Sequence, residues 1–184
     1  MKFEIILGDI TTIATDALVN PAKESLLSGG GVDGAIHRAA GAKLLEECLA
    51  LHGCETGYAK ATGAYNLPAK YVLHTPTPIW RGGLVWHSWS LHRHAESQKE
   101  LELLASCYRQ CLLLAHTLQC HKITFPSIGT GSHQFPLKKA ASIALHEIFS
   151  FTGSLPEQAV MVCLDKRTLQ AYQQEWKNMH KTNW

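Results

Sequence analysis

The sequence predicts an α/β fold: one three-layer α/β/α sandwich with a mixed, mostly parallel six-stranded sheet. Three observations predict it. Six short strand-like runs recur along the chain, and helical patterns of roughly 3.6-residue period separate most of them. Several of the runs are continuously apolar rather than alternating, as strands covered by helices on both faces are. At 184 residues, 46% hydrophobic and 17% charged, the chain suits one domain over residues 1–184 with a full core.

The elements follow in order. Residues 3–7 and 17–20 form the first two strands. The segment 34–52 is a helix, with apolar residues at 36, 39, 40, 44, 45, 48 and 49 on one face. Strands 59–65 and 71–75 are joined by a short turn, 66–70, that contains Pro68. They read as an antiparallel hairpin, which makes the sheet mixed. The stretch 81–97 has no clear period and holds Trp86, Trp89, His87, His92 and His94, so it is a long loop. Helices at 99–118, 137–151 and 166–179 alternate with strands at 122–126 and 159–164.

Charge and composition exclude several function classes. Seventeen Lys and Arg against fifteen Asp and Glu give +2, too even for a protein that coats nucleic acid by charge. No segment approaches the roughly 20 apolar residues of a membrane span. The N-terminal apolar run is too short for an export signal and is broken by Glu4 and Asp9. The six cysteines lack CxxC spacing, and the expectation is reduced, buried thiols in a cytoplasmic monomer.

Two glycine-rich loops carry the chemistry. The first runs from Asn20 through Lys23 to Gly29-Gly30-Gly31-Val32-Asp33-Gly34 and opens directly into a helix. Glycines free its backbone for positive φ, and its amides can face an anion at a positive helix end. By itself the motif reads equally as an ordinary turn with Asp33 as helix N-cap. The second, Ser127-Ile128-Gly129-Thr130-Gly131-Ser132-His133, leaves a strand for a helix in the same way. Two such loops can converge at the carboxyl edge of one sheet, where open α/β sheets bind ligands, and together they favour a phosphate-bearing ligand. Read literally, Gly29, Gly31 and Gly34 match the dinucleotide-binding fingerprint. However, eight residues separate Asn20 from Gly29, and neither strand of the hairpin ends in Asp or Glu. No Lys-Ser/Thr follows the glycines, so a Walker loop is absent. Asp9, at the end of the first strand, could accept a hydrogen bond from an exocyclic amine, or could simply cap the turn that follows. His87, His92 and His94 have no Cys or carboxylate at ligand spacing, so no metal and no cofactor is expected.

Gly8-Asp9-Ile10-Thr11, the string from Asn20 to Gly41, Leu67-Pro68-Ala69-Lys70-Tyr71-Val72-Leu73-His74-Thr75 and Pro126-Ser127-Ile128-Gly129-Thr130-Gly131 resemble the macrodomain family. They are most similar to its hydrolase branch, which removes mono-ADP-ribose from acidic side chains and deacetylates O-acetyl-ADP-ribose. The resemblance implies ADP-ribose or an ADP-ribosylated protein as partner, and gives no support to nucleic acid or a membrane. It places Asp9, Ile10 and Leu164 around the adenine. Gly30, Gly31 and Val32 would line the diphosphate, and the second loop, Ser127 to His133, would wrap the phosphates and the distal ribose. Asn20, Lys23, Asp33 and His37 form the implied catalytic group. Asp33 orients or deprotonates a water, and His37, four residues on, lies on the same helix face.

Four positions depart from the family's usual residues: Lys23 for Asn, His133 for an aromatic, Gln134 for Gly and Leu164 for an aromatic. Asp33 therefore favours a hydrolase, while Lys23, His133 and Gln134 favour a module that binds ADP-ribose without cleaving it. For Lys23 two roles are open, an ion pair with Asp33 or a contact to phosphate or leaving group, and the second is expected.

Overall fold

The computed structural model describes residues 1–82 and 93–181. The strands are β1 (Lys2–Leu7), β2 (Ala17–Ala22), β3 (Lys60–Gly63), β4 (Tyr71–Pro76), β5 (Lys122–Pro126) and β6 (Gln158–Cys163). The helices are α1 (Gly31–Ala40), α2 (Ala42–Ala50), α3 (Arg93–Thr117), α4 (Leu137–Ser150) and α5 (Lys166–Lys181). The sheet order is β1-β6-β5-β2-β4-β3. Every pairing is parallel except the β3–β4 hairpin, in which Gly63 faces Tyr71.

Period-two placement divides the apolar strands between two cores. Ala17, Val19, Ile123, Phe125, Ala159 and Met161 face one core with α3, α4 and Tyr172 of α5. Leu18, Val72, Val160 and Val162 face the other, with Ile36 of α1 and Leu44 and Cys48 of α2. Successive side chains of a strand point to opposite faces, so a continuous apolar run fills both layers. All six cysteines are free and buried. No helix among the described residues is long and apolar enough to cross a membrane.

Two elements differ from the sequence reading. The expected helix at 34–52 is two helices, and the first starts three residues earlier. The break is Gly41, at φ +90°, where a side chain would press on the Asn66 amide at 2.9 Å. The Asn66 backbone N–H donates to the Ala40 carbonyl, so the turn after β3 closes α1. The long loop expected at 81–97 is shortened, because α3 is already helical at Arg93. The rest of the Trp-His stretch, 83–92, lies outside the described residues, and with it His87 and His92; the side chain of His94 is not described either.

Candidate functional site

The carboxyl ends of β1, β6, β5 and β2 lie side by side along one edge of the sheet. The two glycine loops leave β2 and β5, which are neighbours. Between them opens a cleft of about 410 Å³, lined by Lys23, Gly30, Gly31, Val32, Asp33, Thr77, Ser127, Gly129, Gly131, Ser132 and His133, with Pro21 and Ala22. Ten of the residues singled out in the sequence thus meet around one space. Asn20, Ile10, Ile128, Thr130 and His37 do not line it. Asn20 and His37 sit behind Asp33, and Ile128 is fully buried. Asp9 and Leu164 stand at the ends of the paired strands β1 and β6, along the same edge but outside the cleft, and Leu164 is 73% exposed.

Asp33 occupies the first turn of α1 and is only 5% exposed. Its two oxygens are held separately. Asn20 Nδ2 donates to Oδ1 at 2.7 Å, and the Gly29 backbone N–H donates to Oδ2 at 2.5 Å. Each carboxylate oxygen accepts two hydrogen bonds, so each keeps capacity for a water or ligand hydroxyl. His37 Nε2 lies 3.6 Å from Oδ1. Lys23 forms no ion pair with Asp33 among the described residues. It is exposed, and its methylene and ammonium groups run beside Gly29.

The sequence reading gave no role to His74, which the structure places at the base of this arrangement. Parallel pairing sets Asn20 of β2 directly opposite His74 of β4. Asn20 Nδ2 reaches His74 Nδ1 at 3.1 Å, and His74 Nε2 lies 2.9 Å from Thr62 Oγ1, which donates to the Gly63 carbonyl. Because an amide nitrogen only donates, Nδ1 accepts and Nε2 carries the proton. Burial, with a smaller push from His37, draws the His74 imidazole down to about 3, so it is neutral at neutral pH. Both Asn20 protons are thereby assigned, one to His74 and one to Asp33, and the carboxylate is fixed in direction. Cys48 stands 3.7 Å from His74 Nε2, and its thiol is pushed up to about 11 by burial and then by Asp33 and Glu47.

The second loop is anchored by hydroxyls. Tyr108 of α3 accepts from the Ile128 N–H at 3.1 Å and meets Tyr172 of α5 at 3.4 Å. Tyr172 donates to Ser127 Oγ at 3.1 Å, and the single Thr130 hydroxyl lies 3.0 Å from both Ser127 Oγ and the Ser127 carbonyl oxygen. The turn closes through Phe135 N to Gly129 O and Gln134 N to Gly131 O, both 3.0 Å. Gly129 sits at φ +81° with Phe135 packed where a side chain would go. The backbone N–H groups of Gly129, Gly131 and Ser132 take no acceptor among the described residues, and the first-turn amides of α1 have no helical acceptor. Both sets are available to an anion. Tyr108→Phe should strand the buried Ile128 N–H and cost about 1–2 kcal/mol, read as a lower midpoint in urea denaturation with an unchanged slope.

His133 is held at the cleft mouth by its Nδ1, 3.1 Å from the Pro78 carbonyl, and by Trp80 N to its own carbonyl at 2.8 Å. Gln134 adopts φ +61°, a left-handed conformation that glycine takes more readily than a residue with a side chain. Asp9 accepts from Thr11 N and Thr11 Oγ1 through Oδ1 and caps the short 3-10 turn Ile10–Thr12. That is the capping role the sequence left open, and it leaves Oδ2 outside these bonds.

The Macro domain family model matches residues 19–144. A Macro domain-containing protein of Methanosarcina mazei is 47% identical over 167 residues, covering 90% of this chain and 82% of its own. An O-acetyl-ADP-ribose deacetylase of Salmonella newport is 44% identical over 177 residues, covering 93% and 92%. Among solved structures, the Oceanobacillus iheyensis macrodomain with ADP is 37% identical with a TM-score of 0.84, covering 98% of this chain and 92% of that one. The Trypanosoma brucei macrodomain in complex with ADP-ribose is 35% identical with a TM-score of 0.79, covering 94% and 68%.

Proposed function

This chain belongs to the macrodomain family, and on that footing we propose that it binds ADP-ribose and hydrolyses esters of it. The substrates would be mono-ADP-ribose on protein carboxylates, O-acetyl-ADP-ribose, or both. One observation carries the proposal: a nearly buried carboxylate, Asp33, is held by two donors beside a cleft whose wall includes backbone amides that take no acceptor among the described residues. The diphosphate would rest on the amides of Gly31 and Val32 and of Gly129 to Ser132, beside the positive end of α1. The distal ribose would then lie between Asp33 and His133.

Asp33 supplies a base where the ester is. It takes a proton from a water as the oxygen of that water bonds to the ester's electrophilic carbon. The electron pair of the breaking C–O bond leaves with the departing carboxylate or ribose oxygen. Asn20 and the Gly29 N–H hold the carboxylate in one orientation, so little reorganisation precedes proton transfer. A second depression of about 680 Å³ shares Lys23, Thr77 and His133 with the cleft, which gives room for the acyl or protein part of the substrate.

The test is time-resolved loss of label from a protein mono-ADP-ribosylated on Glu or Asp, run beside O-acetyl-ADP-ribose and beside calorimetry with free ADP-ribose. Turnover of either ester supports the hydrolase. Tight ADP-ribose binding with no turnover of either would make the chain a reader, the alternative that Lys23, His133 and Gln134 favour. Affinity for ADP-ribose no greater than for AMP or ribose phosphate would remove the two-loop site.

Lys23 has its own expected outcome. With no partner on Asp33 it is free to meet a phosphate or the leaving carboxylate as a compact point charge. Lys23→Asn should therefore lower ADP-ribose affinity about two- to fivefold, the scale of an exposed ion pair, and make binding less sensitive to salt. Faster turnover with unchanged affinity would assign Lys23 the opposite role.

A further inference from the structure

Among the described residues three buried polar side-chain atoms lack a hydrogen-bond partner, and two of them, His37 Nε2 and Asn20 Oδ1, sit behind Asp33. Buried polar atoms are rarely left unused. His37 is 7% exposed, and one ring nitrogen each of His37 and His74 lies with Cys48 Sγ in a buried cluster whose three ligand atoms are within 4.8 Å of one another. Asp33 Oδ1 is 3.6 Å from the same His37 nitrogen, and Cys48 Sγ is 3.7 Å from His74 Nε2. Bonds of about 2.0–2.3 Å in a tetrahedron set donor atoms roughly 3.3–3.8 Å apart. These two separations already meet that spacing.

We propose that His37, Cys48, His74 and Asp33 form a binding site for a zinc-class divalent cation, and that occupancy switches the neighbouring carboxylate off. Two imidazoles, a thiolate and one carboxylate oxygen suit a borderline-soft ion, and not magnesium or calcium, which take oxygen ligands. The ion enters from the cleft, whose lining includes Asp33.

Binding rearranges the polar chain in a defined way. Cys48 loses its thiol proton to solvent as the sulfur–metal bond forms. His74 Nε2 gives up its hydrogen bond to Thr62 Oγ1, which keeps its own bond to the Gly63 carbonyl, and becomes a ligand as the His74 proton passes to Nδ1, which then needs an acceptor. The Asn20 amide supplies one by turning to present Oδ1, the atom without a partner in the structure. That turn withdraws Nδ2 from Asp33, and the freed carboxylate oxygen becomes the fourth ligand. Asp33 is then no longer available to water, while the loop amides that would hold a diphosphate are untouched. The cation site stands apart from the hydrolase reading; only its inhibitory consequence rests on that reading.

The experiment titrates the full chain with Zn²⁺ by calorimetry and with Co²⁺ by absorption, alongside ADP-ribose binding. One equivalent should bind, and Co²⁺ should show a thiolate-to-metal charge-transfer band. Cys48→Ser should abolish the band and weaken Zn²⁺ on the order of tenfold or more, with ADP-ribose binding kept as the sign of an intact fold. Cys54→Ser should leave band and affinity unchanged. If Cys48→Ser loses ADP-ribose binding as well, His37→Gln in the same titrations decides, with a weakening of the same order expected. A missing band, a band that survives Cys48→Ser, or a Zn²⁺ affinity indifferent to His37→Gln overturns the site. If the wild type shows no ester turnover, these readouts still decide on the cation, and the hydrolase reading fails separately. If it does turn over, Zn²⁺ should slow the wild type, and an unaffected rate at saturating Zn²⁺ overturns the switch.

Discussion

Asp33→Ala is expected to slow ester hydrolysis on the order of 100-fold or more, the usual cost of losing a positioned base, with ADP-ribose still bound. Single-turnover release of label measures the first quantity and calorimetry the second. The separation is expected because the proposal puts Asp33 at the reacting end of the ligand, whereas it assigns the diphosphate to backbone amides that the substitution leaves in place. Alanine also removes the acceptor of Gly29 N and Asn20 Nδ2, so some loosening of the first loop will accompany it. Asp33→Asn controls for this, since its amide oxygen can keep one of the two bonds while its basicity is gone. If Asp33→Asn is as fast as wild type, Asp33 is a structural cap and the hydrolytic proposal falls.

Gly34→Ala should have the second largest effect, and through a different physical cause. Gly34 does not need glycine for its φ. It needs it because the first loop folds back over α1, and a Cβ there would stand 2.5 Å from the Gly29 carbonyl oxygen and 3.1 Å from Arg38 Nη1. The nearer neighbour is backbone, so no rotamer change relieves the overlap. The loop must shift, and with it the Gly29 N–H that holds Asp33 and the amides of Gly30 and Gly31. Overpacking of this kind costs about 1–3 kcal/mol, so an ADP-ribose dissociation constant about fivefold or more weaker, and a lower denaturation midpoint, are expected. Gly8→Ala, where no atom lies within 4 Å of the added carbon, is the control and should leave the midpoint nearly unchanged. Equal behaviour of the two variants would show that the loop does not depend on its close approach to α1.

How far the site was legible in the sequence depends on the distance over which each signal acts. The two loops were visible because glycine runs between a strand and a helix are local signals, and ten of their residues do line the cleft. Asp33 was visible for the same reason, though as base or cap alike. His74 was not. It sits inside a buried strand, where a lone histidine has no pattern to mark it, and its meaning comes from Asn20, 54 residues away. Tyr108 and Tyr172 were hidden likewise, since each looks like an ordinary core aromatic on its helix until Ile128 and Ser127 come against their hydroxyls.

The sequence by itself therefore determined the layers of this protein and the edge where its candidate site lies. Hydrophobic period and glycine punctuation depend only on near neighbours, and they specify strands, helices and the loops between them. The break at Gly41, the direction of the Asp33 carboxylate, and the grouping of His37, Cys48 and His74 were decided by tertiary structure alone. Each depends on the register in which distant strands pair and on a helix docking over that pair. Hydrogen-bond and ligand geometry is fixed to fractions of an ångström, a scale that only the packed chain sets.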